Sequence, residues 1–115
     1  VSTEREIMHD IRLALGRIPD LVMWRNNVVG VETYDHVHGG ARHHHAGLPK
    51  GSADLIGVLA GRFIALEVKT PTGRTTPEQD RWLELVRAKG GFAAVVRSAA
   101  DALDAIARAR KGAKE

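Results

Sequence analysis

The chain has 115 residues, enough for one domain with a modest core, and no stretch approaches the roughly 18 apolar residues of a membrane span. It contains no cysteine, which excludes disulfides, thiolate metal sites and cysteine nucleophiles and suits a reducing compartment. A formal charge of +3 permits phosphate binding without demanding it, and two Trp, two Phe and one Tyr are too few for a surface of base-stacking platforms.

Thr3, followed three residues later by Glu6, forms a capping-box signal for a helix running to about Gly16. Ile7, Ile11 and Leu15, extended by Ile18, make its buried stripe. At about 100° per residue Glu4 falls at the head of that stripe and Glu6 falls off it. Glu6 is therefore read as a cap and Glu4 as a carboxylate aimed inward. A solvated first-turn acid, favoured by the helix dipole, is the competing reading of Glu4. Leu21 to Arg25 predicts a strand, and Val28 to Tyr34 a second extended piece.

Residues 35–53 show no periodicity and are expected to form a Gly- and His-rich loop. His36, His38, His43, His44 and His45 crowd into it without the i, i+4 spacing of a helical metal site. A mobile, solvent-facing loop near the mouth of a site is expected there. It would bind Zn²⁺ or Ni²⁺ adventitiously and become more basic in acid.

The stretch Gly51-Ser52-Ala53-Asp54-Leu55-Ile56-Gly57-Val58-Leu59-Ala60-Gly61-Arg62-Phe63-Ile64-Ala65-Leu66-Glu67-Val68-Lys69 reads as two short strands around a tight turn. A two-residue turn at Ala60-Gly61 sets Asp54 directly opposite Glu67, with Cβ atoms about 4.5–5.5 Å apart. Strand alternation then puts Asp54, Ile56, Val58, Phe63, Ala65, Glu67 and Lys69 on one face. Leu55, Ile64, Leu66 and Val68 face the other way, towards a covering helix. Charged groups at the ends of buried strands are costly unless they bind something, and this set suits a divalent cation beside a phosphodiester. The bland alternative is a cross-strand ion pair on an exposed face.

Thr76-Pro77-Glu78-Gln79 starts another helix, with Thr at the N-cap, Pro at the first helical position and Gln closing the box. Trp82, Leu83, Leu85 and Val86 supply its apolar surface until Gly90-Gly91 ends it. Phe92 to Val96 predicts a strand. Ser98 caps a last helix through Ala102, Leu103, Ile106 and Ala109, and the tail Lys111-Gly112-Ala113-Lys114-Glu115 is expected to fray. The resulting order is α-β-β-β-α-β-α, an α/β fold with a mixed central sheet flanked by helices.

Taken together, these residues resemble the virus-type replication-repair nuclease (VRR-NUC) domain of the PD-(D/E)XK superfamily. The resemblance is carried by the first-helix acid, Trp24-Arg25-Asn26-Asn27, Lys50 to Gly57, Gly61-Arg62-Phe63 through Glu67-Val68-Lys69-Thr70-Pro71, Gly73-Arg74, Pro77-Glu78-Gln79 and Gly90-Gly91. One departure exists: Ala53 stands where the superfamily often has proline, which removes a backbone restraint but no ligand. The resemblance implies a restriction-endonuclease-like core and one nuclease domain over residues 1–115. Its catalytic set would be Glu4, Asp54, Glu67, Lys69 and Gln79. Asp54, Glu67 and the Val68 carbonyl would hold Mg²⁺ or Mn²⁺.

Gln79 keeps two readings, a site residue by resemblance and a structural cap by position. Arg25, Lys50, Arg62, Arg74 and Arg81 are candidate phosphate contacts, although Arg25 could equally lie over the core. The expected substrate is DNA, branched, such as a four-way junction, or duplex, cut by a homodimer. With no basic-then-apolar leader at its start, the chain is expected in the cytoplasm of a bacterial or phage-infected cell. Two rivals stand beside this reading: a nuclease-fold DNA-binding or assembly module without catalysis, and a His-loop metal sensor. The second leaves Asp54 and Lys69 unexplained.

Overall fold

The computed structural model describes residues 2–27, 29–34 and 41–115, the strands at 29–34 and 41–46 by their backbone alone. In chain order the elements are α1 (Glu4–Leu15), β1 (Leu21–Arg25), β2 (Val29–Tyr34), β3 (Ala41–Ala46), β4 (Leu55–Leu59), β5 (Arg62–Val68), α2 (Pro77–Ala88), β6 (Phe92–Val96) and α3 (Ala99–Arg110). Strands β1-β4-β5-β6 form one four-stranded sheet, antiparallel except for the parallel β5–β6 pair. Around this mixed sheet the order is the expected α-β-β-β-α-β-α, a restriction-endonuclease-like core.

One expectation needs correction: Ala41–Ala46 is a strand rather than loop. The extended piece after β1 stands apart from the main sheet. β2 and β3 pair with each other as a separate antiparallel hairpin, with Val31 in register with His44 and Glu32 with His43. The run Arg42-His43-His44-His45 has no apolar alternation, so nothing in its pattern announced a strand. Val28, His36 and His38 lie outside the described residues, as does any account of where the His43–His45 side chains go.

The central hairpin forms as its turn demands. Ala60 and Gly61 both take positive φ, 48° and 81°, so β4 and β5 are joined by two residues with Leu59 opposite Arg62. Side chains then alternate between two cores. Leu55, Leu59, Ile64, Leu66 and Val68 meet α1 and α3 through Ile7, Ile11, Leu15 and Ile106. On the reverse face Ala65 and Ala93 meet Leu83 and Val86 of α2. That helix packs on β5 and β6, while Val22, Trp24 and Val58 on the strands beyond stay exposed. The helix starts follow their capping signals: Thr3 and Thr76 close complete boxes with Glu6 and Gln79, and Ser98 accepts the Asp101 amide.

The C-terminal tail is tied down, contrary to expectation. Ala113 packs on the main core, the Lys114 carbonyl accepts the Ala93 amide at 3.1 Å, and Glu115 pairs with Arg108. Gly57 is where β1 presses closest on β4. A Cβ there would lie 2.0 Å from the Val22 carbonyl oxygen and 2.4 Å from the Met23 sulfur. Because a backbone atom forms that wall, Gly57→Ala is expected to destabilise the fold by about 3 kcal/mol or more. Urea unfolding checks this, the midpoint falling at unchanged slope.

Candidate active site

The site is built where β4 begins and β5 ends. The β4–β5 register, Leu55 against Leu66, continues outward to set Asp54 opposite Glu67. Asp54 Oδ2 accepts the Val68 amide at 2.9 Å, so β5 itself orients that carboxylate. From the other side Asn26 clamps the approach to β4. Its amide donates to the Asp54 carbonyl at 2.7 Å, and its Nδ2 donates to Ser52 Oγ and the Ala53 carbonyl, each at 2.8 Å. These bonds supply the backbone restraint that Ala53, unlike proline, cannot.

Glu67 is only 2% exposed. Its Oε2 accepts from Gln79 Nε2 at 3.1 Å and lies 3.5 Å from Lys69 Nζ. Its Oε1 is buried with no hydrogen-bond partner among the described residues. Burial, reinforced by the neighbouring Asp54 carboxylate, pushes the Glu67 carboxyl up to about 8, with Lys69 pulling the other way. A buried carboxyl oxygen without a donor is a rare defect in a folded protein, and a hard cation beside it would remove the defect.

The two readings of Gln79 are compatible, because they use opposite ends of one amide. Its Oε1 accepts the Thr76 amide at 2.9 Å to close the capping box. That fixes Nε2 as the end presented to Glu67. Lys69, just past β5, donates its own amide to the Val96 carbonyl at 3.1 Å. The following turn is held by Arg97, whose Nη1 donates to the Thr70 and Gly73 carbonyls at 2.6 and 2.7 Å.

Glu4 is exposed, but it opens with Asp54, Asn26 and Arg25 onto one cleft of about 640 Å³ between α1 and the end of β1. Among the described residues no three His, Asp or Glu side chains gather as a closed metal cage. Two converging carboxylates with an open side instead suit a hard divalent cation that keeps waters and takes phosphate oxygens.

The expected phosphate contacts divide. Arg25 lines the cleft. Lys50, Arg74 and Arg81 are exposed on the turn before β4, the turn after Lys69 and the flank of α2, outside that cleft. Arg62 stands at the far, turn end of β5 and is committed to structure. Its guanidinium donates to the Gly90, Gly91 and Ala109 carbonyls and lies 5.9 Å from the Phe92 ring centre. It is not brought to the site. Conversely, the clamp by Asn26 and the brace by Arg97 escaped the sequence reading. Asn26 had a signal, a polar amide directly after a strand, while Arg97 had none.

A comparison with curated proteins finds no match. The profile of the VRR-NUC domain matches residues 2–100, from just before the α1 cap into the first turn of α3, and so spans every described strand and Glu4, Asp54, Glu67, Lys69 and Gln79. The chain belongs to the VRR-NUC domain family, nucleases of the PD-(D/E)XK type.

Proposed function

We propose that the chain is a Mg²⁺- or Mn²⁺-dependent endodeoxyribonuclease that hydrolyses DNA phosphodiesters at branched structures such as four-way junctions. The observation that carries the metal-dependent reading is Glu67 Oε1, buried without a donor beside a second carboxylate. Asp54 and Glu67 would hold the cation. The Val68 carbonyl is a third candidate oxygen, since strand geometry turns it towards the same neighbour as its amide, which bonds Asp54. When bound, the cation would polarise the phosphate and lower the pKa of a water.

The remaining work falls to the chain's own groups. Lys69 Nζ, held beside Glu67, orients the attacking water and offsets charge developing on the phosphate oxygens. Gln79 keeps Glu67 Oε2 occupied, leaving Oε1 as the free ligand atom. Glu4, on the same cleft as Asp54, positions water on the substrate side. Arg25 contacts the phosphate backbone at the cleft mouth, with Lys50, Arg74 and Arg81 as outlying contacts.

Selectivity for junctions, a single nuclease domain over residues 1–115, and a role in phage-type replication, recombination or repair in the cytoplasm of a bacterial or phage-infected cell follow from the resemblance. So does a homodimer, since a symmetric junction needs two cuts. No helix among the described residues is long and apolar enough to cross a membrane.

Incubation with supercoiled plasmid, linear duplex and synthetic four-way junctions, with and without Mg²⁺ or Mn²⁺, tests the reading. Metal-dependent cleavage, fastest on junctions, is expected, together with a solution mass near twice 12.5 kDa. Tight binding with no cleavage under either metal would favour a DNA-binding module instead.

A further inference from the structure

The cleft holding Glu4 and Asp54 does not stop at the site. A second cavity of about 470 Å³ follows it along α1 and β1 towards Gly16, and His9 and Arg12 line both. The wall they share is a single stripe of α1. Arg5, His9 and Arg12 stand at i, i+4 and i+7, within about 60° of one another around the helix. Arg25, Asn26 and Asn27 line the inner cavity from the end of β1. The acids of the groove, Glu4 and Asp54, sit together at its inner end. The other acids of α1 fall off the stripe: Glu6 is held by its cap, and Asp10 lines a separate cavity. Basic side chains thus line both parts of the groove, beside the apolar Leu13, Leu21, Val22 and Met23 in the outer one, and acids line only the inner end, where cleavage is placed.

We infer that this α1–β1 groove is the track for the sugar–phosphate backbone of the DNA strand leaving the scissile bond, with Arg5, His9 and Arg12 as successive phosphate contacts. The inference rests on the nuclease reading and adds a direction to it. Arg5 and Arg12 are seven residues apart, about 10 Å along the helix axis, which spans one to two steps of a single strand, whose adjacent phosphates stand roughly twice the axial rise apart. The groove therefore takes a short run of one strand to one side of the cut. Nothing equivalent is asked of α2 or α3.

The test is DNA binding without any divalent cation, so that nothing is cut. Affinity for a fluorescent four-way junction is measured against salt for wild type, for Arg5→Gln with Arg12→Gln, and for Lys89→Gln with Lys111→Gln. The last pair removes the same charge from exposed ends of α2 and α3. The groove pair is expected to lose about tenfold or more in affinity, with a salt slope shallower by about two, while the control pair changes less than about twofold.

A second measurement does not depend on how the double variant folds. Because the chain has no cysteine, Arg5→Cys and Arg12→Cys each create a unique thiol for cross-linking to DNA carrying thiol tethers at chosen phosphates. The two cross-links are expected on the same strand, at a fixed offset of about one to two nucleotides. Equal losses in the two charge-removal pairs, or cross-links with no fixed offset, would overturn the track. Cleavage by wild type in the same substrates would leave the nuclease reading standing in that case. Failure of wild type to cleave with any metal would sink the nuclease reading, whatever the groove does.

Discussion

Lys69→Met is expected to lower DNA cleavage by roughly 10²–10³-fold while leaving DNA affinity within about twofold of wild type. Methionine keeps most of the aliphatic stem, which matters because the Lys69 side chain is only 12% exposed. What disappears is the ammonium 3.5 Å from Glu67 Oε2. If that charge acts on the transition state, its loss falls on the rate of the bound complex and not on substrate binding. Single-turnover cleavage at saturating enzyme separates the two. Removing a cation from beside two carboxylates does not weaken their attraction for a metal, so Mn²⁺ affinity is expected to hold or rise in this variant. A Lys69→Met protein that cleaves at the wild-type rate would remove Lys69 from the mechanism. One that loses Mn²⁺ binding and rate together would make the lysine a scaffold for the acids.

The parts of this fold visible in the sequence share a property: each is decided by neighbours within a few residues. The β4–β5 register follows from a two-residue turn, and with it the placement of Asp54 against Glu67. The three helix starts follow from capping residues at fixed offsets. Whatever depends on distant partners was hidden. Arg62 reads as a cation free for phosphate, yet its carbonyl partners lie 28 to 47 residues away. The clamp from Asn26 to the loop before Asp54 spans a similar gap. The β2–β3 hairpin was missed for the opposite reason: its partners are close, but its side chains carry no periodic contrast. For the site this meant that the acids and lysine, set by local register, were legible, while the residues that stiffen them were not.

Glu67→Gln is expected to raise the stability of the metal-free protein at pH 8, abolish cleavage and abolish stabilisation by Mn²⁺. The argument turns on a proton. Burial and Asp54 push the Glu67 carboxyl from 4.5 to about 8 in the folded chain. Between those values the folded state holds a proton that the unfolded state has released, so stability falls as pH rises across the window. The contribution is complete below pH 4.5 and lost once pH passes about 8, a few kcal/mol in all.

Glutamine imitates the protonated acid. Its carbonyl can take the place of Oε2 and accept from Gln79 and Lys69, while its amide nitrogen takes the place of Oε1 and donates towards Asp54. The variant should therefore keep at pH 8 the stability that wild type shows only near pH 5, a melting temperature higher by roughly 10 °C at the alkaline end. Little difference is expected at pH 5. A bound cation does for the ionised wild-type pair what the proton does in its absence. Mn²⁺ at pH 8 should then stabilise wild type, with proton release measurable by calorimetry in two buffers of different ionisation enthalpy, and should leave Glu67→Gln unmoved. Parallel pH–stability curves for the two proteins would mean that Glu67 is already ionised when buried, and that its unpartnered oxygen is satisfied by something other than a metal ion.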